Sequence, residues 1–208
     1  LIEVRDQNNV LIATYTYDPF NRRIAKETTG TKTYFFYADE GLIAEAGNTG
    51  NITKIYGYRP NSTWSTDQLY LKEGVGTYYF QNDHLGTSQK LVSQSGMLVW
   101  SARAEAFGVT TVDASSTITN NLQFPGQYYD SETGLHYNWN RYYDPRVGRY
   151  ITSDPIGLRG GLNTYVYVKN NPLRWRDPRG LDNPGCDWFY DGPPGGCRLM
   201  CCAEHDAC

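Results

Sequence analysis

Aromatic runs with strand-like alternation, each closed by an acidic or glycine turn, recur along the first half of the chain at roughly 20-residue spacing. Residues 10–17 run into Asp18-Pro19-Phe20-Asn21, residues 33–37 into Asp39-Glu40-Gly41, and residues 52–58 into Arg59-Pro60-Asn61. Residues 77–80 and 98–102 repeat the pattern before Asp83-His84-Leu85-Gly86 and Glu105-Ala106-Phe107-Gly108. Asp-Pro, Asn and Gly supply turn chemistry, so residues 10–28 read as a hairpin and the whole as an all-β repeat. A strand of alternating Tyr cannot bury its apolar face alone, so neighbouring repeats must stack into one continuous sheet.

Composition narrows the function. Nineteen basic and 22 acidic residues, net −3 and well mixed, give no electrostatic footprint for nucleic acid, and no such partner is expected. No apolar run reaches 18 residues, and no basic-then-apolar leader opens the sequence. Leu1 stands where an initiator Met would, and Cys208 ends the sequence inside a motif, so the sequence reads as an excerpt of a longer polypeptide. Three segments are expected: a repeat segment 1–108, a terminal module 109–181 entered through a Ser/Thr-rich loop at 109–123, and a separate tail 182–208.

Two copies of one pentapeptide, Asp154-Pro155-Ile156-Gly157-Leu158 and Asp177-Pro178-Arg179-Gly180-Leu181, close the cysteine-free part of the chain. All five cysteines follow, which suits an oxidising destination or a metal site. The boundary reads as a junction between a carrier and its cargo. Asp at i, Pro at i+1 and Gly at i+3 is also what an ordinary turn prefers, so each box alone is explained as a turn. His84 and His136 lack a Ser, Cys or carboxylate partner at a telling spacing and are read as structural. Asn51-Ile52-Thr53 and Asn61-Ser62-Thr63 fit the glycosylation sequon, a pattern too common to carry a function.

Residues 77–181 resemble the C-terminal core of the Rhs/YD-repeat family. The carrying segments are residues 79–87, Phe124-Pro125-Gly126-Gln127-Tyr128-Tyr129-Asp130, residues 132–138, Arg141-Tyr142-Tyr143-Asp144-Pro145, Gly148-Arg149-Tyr150, and the two boxes enclosing residues 163–172. Residues 1–76 resemble the YD repeats that precede that core. The resemblance implies a β-hairpin shell, or cocoon, ended by a core plug and enclosing a variable C-terminal effector. It also implies an intramolecular aspartyl protease with Asp154 and Asp177 as its carboxylates, Arg141 as their cationic neighbour, and Leu181–Asp182 as the bond cut. Two adjacent carboxylates do not both ionise cheaply, so one serves as acid and the other as base toward water. The implied protein is bacterial, secreted or at the cell surface, and delivered into a target cell. Its implied partners are its own cargo, an immunity protein and secretion machinery; the shell and protease need no cofactor. A structural adhesion protein with an inert core is the alternative.

In the tail, Cys201-Cys202-Ala203-Glu204-His205-Asp206-Ala207-Cys208 resembles the active-site helix of secreted phospholipase A2. The resemblance implies the start of a small α-helical, disulfide-rich domain. In it His205 would activate water against a phospholipid ester and Asp206 would bind Ca2+, with backbone oxygens from the loop at Tyr190, Gly192 and Gly195. Cys186, Cys197, Cys201, Cys202 and Cys208 are the disulfide candidates. A zinc knot and a plain disulfide cluster are the competing readings.

Overall fold

A computed structural model describes residues 1–181. Eleven antiparallel strands follow one another as a meander in a single sheet, in chain order from end to end. They are β1 (Glu3–Arg5), β2 (Leu11–Tyr17), β3 (Arg23–Thr28), β4 (Thr31–Ala38), β5 (Gly41–Ala46), β6 (Ile52–Tyr58), β7 (Gln68–Glu73), β8 (Gly76–Asn82), β9 (Ser88–Ser93), β10 (Leu98–Ala104) and β11 (Thr110–Val112). A second, four-stranded meander comprises β12 (Tyr128–Asp130), β13 (Leu135–Asn138), β14 (Arg141–Asp144) and β15 (Arg149–Tyr150). The described residues are all-β, and no helix among them is long and apolar enough to cross a membrane.

The aromatic runs are the alternate strands β2, β4, β6, β8 and β10; β3, β5, β7 and β9 are the less aromatic return strands between them. The acidic turn residues act as local caps. Asp18 Oδ1 accepts from the N–H groups of Phe20 and Arg22, and Asp83 Oδ1 accepts from those of Leu85 and Thr87, one short side chain replacing the missing ladder partners. One expectation is corrected here: the Ser/Thr-rich segment 109–123 is not simply a loop. Thr110–Val112 pairs with β10, and the Asp113 and Thr117 N–H groups donate to Ser101 and Val99 carbonyls beyond it. Consecutive β-branched residues there, Thr110-Thr111-Val112, complete an open edge, which outweighs the segment's polar composition.

Register places the core on one face of the large sheet. Tyr56 pairs with Leu71 and Leu71 with Tyr78, while Phe80 pairs with Leu91 and Leu91 with Trp100. Leu71 and Leu91 are fully buried, each contributing about 1.5–3 kcal/mol by leaving water. The small sheet packs on that face through Tyr128, Tyr137 and Tyr142, with Phe35 edge-on to Tyr128 at 5.2 Å between centroids. Its other face carries Tyr143 and Tyr150, which pack with Phe124, Tyr167 and Val168 into a second core under the C-terminal segment.

Where the two sheets meet, Arg23 is fully buried and forms a two-pronged ion pair with Asp130, at 2.5 Å from Nη1 to Oδ2 and 3.0 Å from Nη2 to Oδ1. Lys26 Nζ adds bonds to Asp130 and Glu132. The Arg23 guanidinium lies within 6 Å of the ring centroids of Tyr15, Phe35, Tyr128, Tyr137 and Tyr142, so the cation is compensated by a carboxylate and by π faces together. No sequence signal distinguished Arg23 from the other arginines.

His136 is buried among Phe124, Tyr129 and Tyr143, and among the described residues neither ring nitrogen has a hydrogen-bond partner. Burial pushes its imidazole down to about 4, against the opposing pull of Asp130 and Asp144. The folded value lies below the ordinary 6.5, so the unfolded chain takes up a proton first as pH falls. Stability is therefore lost between about pH 6.5 and 4, by up to about 3 kcal/mol. His136→Phe is expected to flatten that part of the acid response. Urea midpoints at pH 7 and 4.5 that fall equally far in both proteins would contradict this.

Candidate functional site

The face of the small sheet turned away from the large one holds the candidate site. Side chains alternate along a strand, and Asn138 pairs with Arg141 while Tyr143 pairs with both His136 and Tyr150. Asn138, Arg141 and Tyr150 therefore share that face. After β15 the chain leaves the sheet, makes the first Asp-Pro-x-Gly-Leu box, folds back through Tyr167 and Val168, and returns with the second box beside Arg141.

Both boxes are turns, as their composition expects. Gly157 N–H donates to the Asp154 carbonyl at 3.0 Å and Ile156 N–H to Asp154 Oδ1 at 2.9 Å, while Gly157 and Gly180 sit at φ +63° and +64°. What sets them apart from the surface turns is the burial of their carboxylates. Asp154 is 5% exposed, Asp177 1% and Arg141 2%. Arg141 Nη2 lies 3.0 Å from Asp154 Oδ2 and 3.1 Å from Asp177 Oδ2, so one guanidinium nitrogen faces both acids. Its contact with Asp177 is an aligned hydrogen bond; that with Asp154 Oδ2 is an ion-pair contact without hydrogen-bond alignment. Arg141 also donates from Nε to the Gly180 carbonyl at 2.7 Å and from Nη1 to the Thr164 carbonyl at 3.2 Å.

Asp177 has further donors. Tyr150 Oη donates to its Oδ2 at 2.7 Å, and Leu181 N–H donates to its Oδ1 at 3.1 Å. Asn138 Nδ2 donates to Tyr150 Oη and to the Asp177 carbonyl, both at 2.8 Å. The Tyr150 ring lies against Arg141, 3.5 Å from guanidinium carbon to centroid. Burial pushes the Asp177 carboxyl above its usual range, opposed by Arg141, Tyr150 and the Leu181 N–H, with the Asp154 charge adding to the rise. Burial and the Asp177 charge hold the Tyr150 phenol far above its ordinary value, so it is a hydroxyl donor throughout the physiological range.

The second box fits this wall closely. A Cβ on Gly180 would collide with the Asn138 carbonyl, and one on Gly126 would collide with Pro178. Glycine at both positions lets the segment ending in Leu181 pack closely against β13, β14 and the Phe124–Gln127 turn. The structure thus brings together Asp154, Asp177, Arg141 and Leu181. Sequence reasoning missed Tyr150 and Asn138; the strand alternation that pairs Asn138 with Arg141 was the available signal. The other expected site residues lie outside the described residues: Asp182, Tyr190, Gly192, Gly195, His205, Asp206, Cys186, Cys197, Cys201, Cys202 and Cys208.

Residues 1–173 match the family described as Teneurin YD-shell. The chain belongs to the YD-shell family. Among its relatives, this YD-shell chain is 34% identical to Double-stranded DNA deaminase toxin A of Burkholderia cenocepacia over 86% of its length, and 35% identical to the probable deoxyribonuclease RhsA of Dickeya dadantii over 80%. It spans only 14% and 12% of those proteins. The crystal structure of TcdB2-TccC3-Cdc42 shares the fold over 86% of this chain and 10% of that one, with a TM-score of 0.65 at 22% identity. The family match and these relatives place residues 1–173 in an Rhs-type YD shell.

Proposed function

We propose that this YD-shell segment is the C-terminal part of a toxin shell that cuts its own chain between Leu181 and Asp182, freeing a C-terminal cargo. One observation carries the reading: Leu181 is hydrogen-bonded to Asp177 Oδ1, while Asp177 and Asp154 face the same Arg141 nitrogen. Two buried carboxylates around one cation, beside the end of the second box, are what an acid–base pair acting on that peptide requires. In the proposed step, one ionised carboxylate takes a proton from water, whose oxygen attacks the Leu181 carbonyl carbon. The protonated carboxyl passes its proton to the leaving nitrogen as the C–N bond breaks, leaving a Leu181 carboxylate and a free Asp182 amine. Because the bond lies four residues beyond Asp177 on the same chain, proximity replaces substrate affinity. Arg141 holds charge in the site that the burial of two acids would otherwise expel.

The purified chain is expected to run as two pieces split at Leu181–Asp182, and Asp154→Asn and Asp177→Asn are each expected to keep it whole. Intact-mass spectrometry reads both; an intact wild-type chain overturns the reading. For the cargo, the deaminase and deoxyribonuclease names of the relatives favour a nucleic-acid-modifying effector as much as any other class. The calcium-dependent phospholipase reading rests on residues 201–208 alone, with Asp206 as Ca2+ ligand and phospholipid as substrate. An immunity protein, export machinery and delivery into a target cell complete the proposal. The inert adhesion alternative is not favoured, since it leaves the buried triad without a role.

A further inference from the structure

We propose that Tyr150, oriented by Asn138, is a positioning residue that holds Asp177 as the base of the pair and leaves Asp154 as the acid. This rests on the self-cleavage reading above. The argument is a count of protons and lone pairs. Asn138 Nδ2 donates into the Tyr150 hydroxyl oxygen at 2.8 Å, so the single hydroxyl proton is directed to Asp177 Oδ2, 2.7 Å away. Asp177 Oδ2 then receives two donors, Tyr150 Oη and Arg141 Nη2, and Oδ1 receives the Leu181 N–H. Three donors on one carboxyl favour its ionised form and counter the upward push that burial exerts on Asp177.

Asp154 is built differently. Its Oδ1 accepts one backbone N–H, and its Oδ2 has no aligned hydrogen bond. That oxygen faces Arg141 Nη2 at 3.0 Å without an aligned hydrogen bond, so it has fewer donors than either oxygen of Asp177 and is the one that carries the proton a buried pair must keep. Asn138 and Tyr150 are themselves 0% and 1% exposed, and Asn138 also holds the Asp177 carbonyl, so the relay is closed to solvent and tied to the second box. The Tyr150 ring against Arg141 fixes the guanidinium between the two acids.

The pH profile of self-cleavage tests this, followed from cell-free synthesis of the full chain by the appearance of the shortened shell at pH 5–8. Tyr150→Phe removes a donor to ionised Asp177, so its acid limb is expected to move up by about one pH unit. Asn138→Ala, which frees the hydroxyl to turn away, is expected to move it in the same direction by less. A merely structural tyrosine would lower the rate equally at every pH, and that outcome overturns the proposal while leaving the self-cleavage reading intact. If wild-type chain is never cut, the self-cleavage reading fails and the catalytic meaning of Tyr150 falls with it. A second measurement is independent of cleavage: carbon-13 NMR titration of Asp177 in the Asp154→Asn chain, with and without Tyr150→Phe. An Asp177 midpoint that stays in place on removal of the hydroxyl overturns the proposal.

Discussion

Arg141→Ala is expected to slow the proposed self-cleavage by about a thousandfold or more, with intact chain persisting after the time at which wild-type chain is expected to be cut. The guanidinium reaches four acceptors at once: both carboxylates, the Gly180 carbonyl and the Thr164 carbonyl. Removing it leaves two buried acids with no cation between them. Each then favours its neutral form, and a pair of neutral acids contains no base. The Gly180 carbonyl, one residue before Leu181, loses its anchor in the same change. Arg141→Lys is expected to recover little. An ammonium is a point charge without the fork that spans Asp154, Asp177 and the backbone. A time course of chain length for the three proteins checks this, and Arg141→Ala chain cut at close to the wild-type rate would remove Arg141 from the machinery.

Asp130→Ala is expected to cost about 3–5 kcal/mol of stability, the penalty for stranding a buried charge. Arg23 and Asp130 are both 0% exposed, so removing the carboxylate strands the guanidinium at a site shut off from water. The aromatic rings around Arg23 soften the loss without supplying hydrogen-bond acceptors; Tyr142 Oη, 3.2 Å from Nη1, is the nearest substitute. A paired replacement, Arg23→Met with Asp130→Leu, is expected to recover most of the stability, since the original penalty is desolvation and apolar residues incur none. Arg5→Ala, which breaks the exposed Arg5–Glu3 pair, is expected to change stability by less than about 0.5 kcal/mol. Urea unfolding of the three variants beside the wild-type chain distinguishes these cases. Equal losses for Asp130→Ala and Arg5→Ala would show that Arg23 is not sealed between the sheets.

The paired boxes show how far local pattern reached. Asp-Pro-x-Gly reads as a turn from sequence, and both copies are turns, because the Asp cap and the positive-φ glycine act within five residues. The same chemistry at Asp18 and Asp83 makes ordinary surface turns. Nothing inside the pentapeptide says whether its carboxylate will face water or an arginine. For Asp154, Asp177 and Arg141 the grouping came from resemblance to a family. For Tyr150 and Asn138 no such cue existed, and the hydroxyl that meets Asp177 looked like one more tyrosine among 18. The segment 109–123 shows the opposite error: its polar composition suggested a loop, but the open edge of β10 recruited Thr110–Val112 as a strand.

The sequence by itself determined the alternation that makes strands, the turns that join them, and hence an all-β meander of stacked hairpins. These depend on backbone preference and on side chains a few residues apart. Only the tertiary structure decided which charges are buried and with whom. Arg23 meets Asp130 across 107 residues, and Arg141 meets Asp177 across 36. Such pairings form because packing two sheets and a returning segment removes water from particular side chains, and a charge without water must find its partner wherever the fold has placed one.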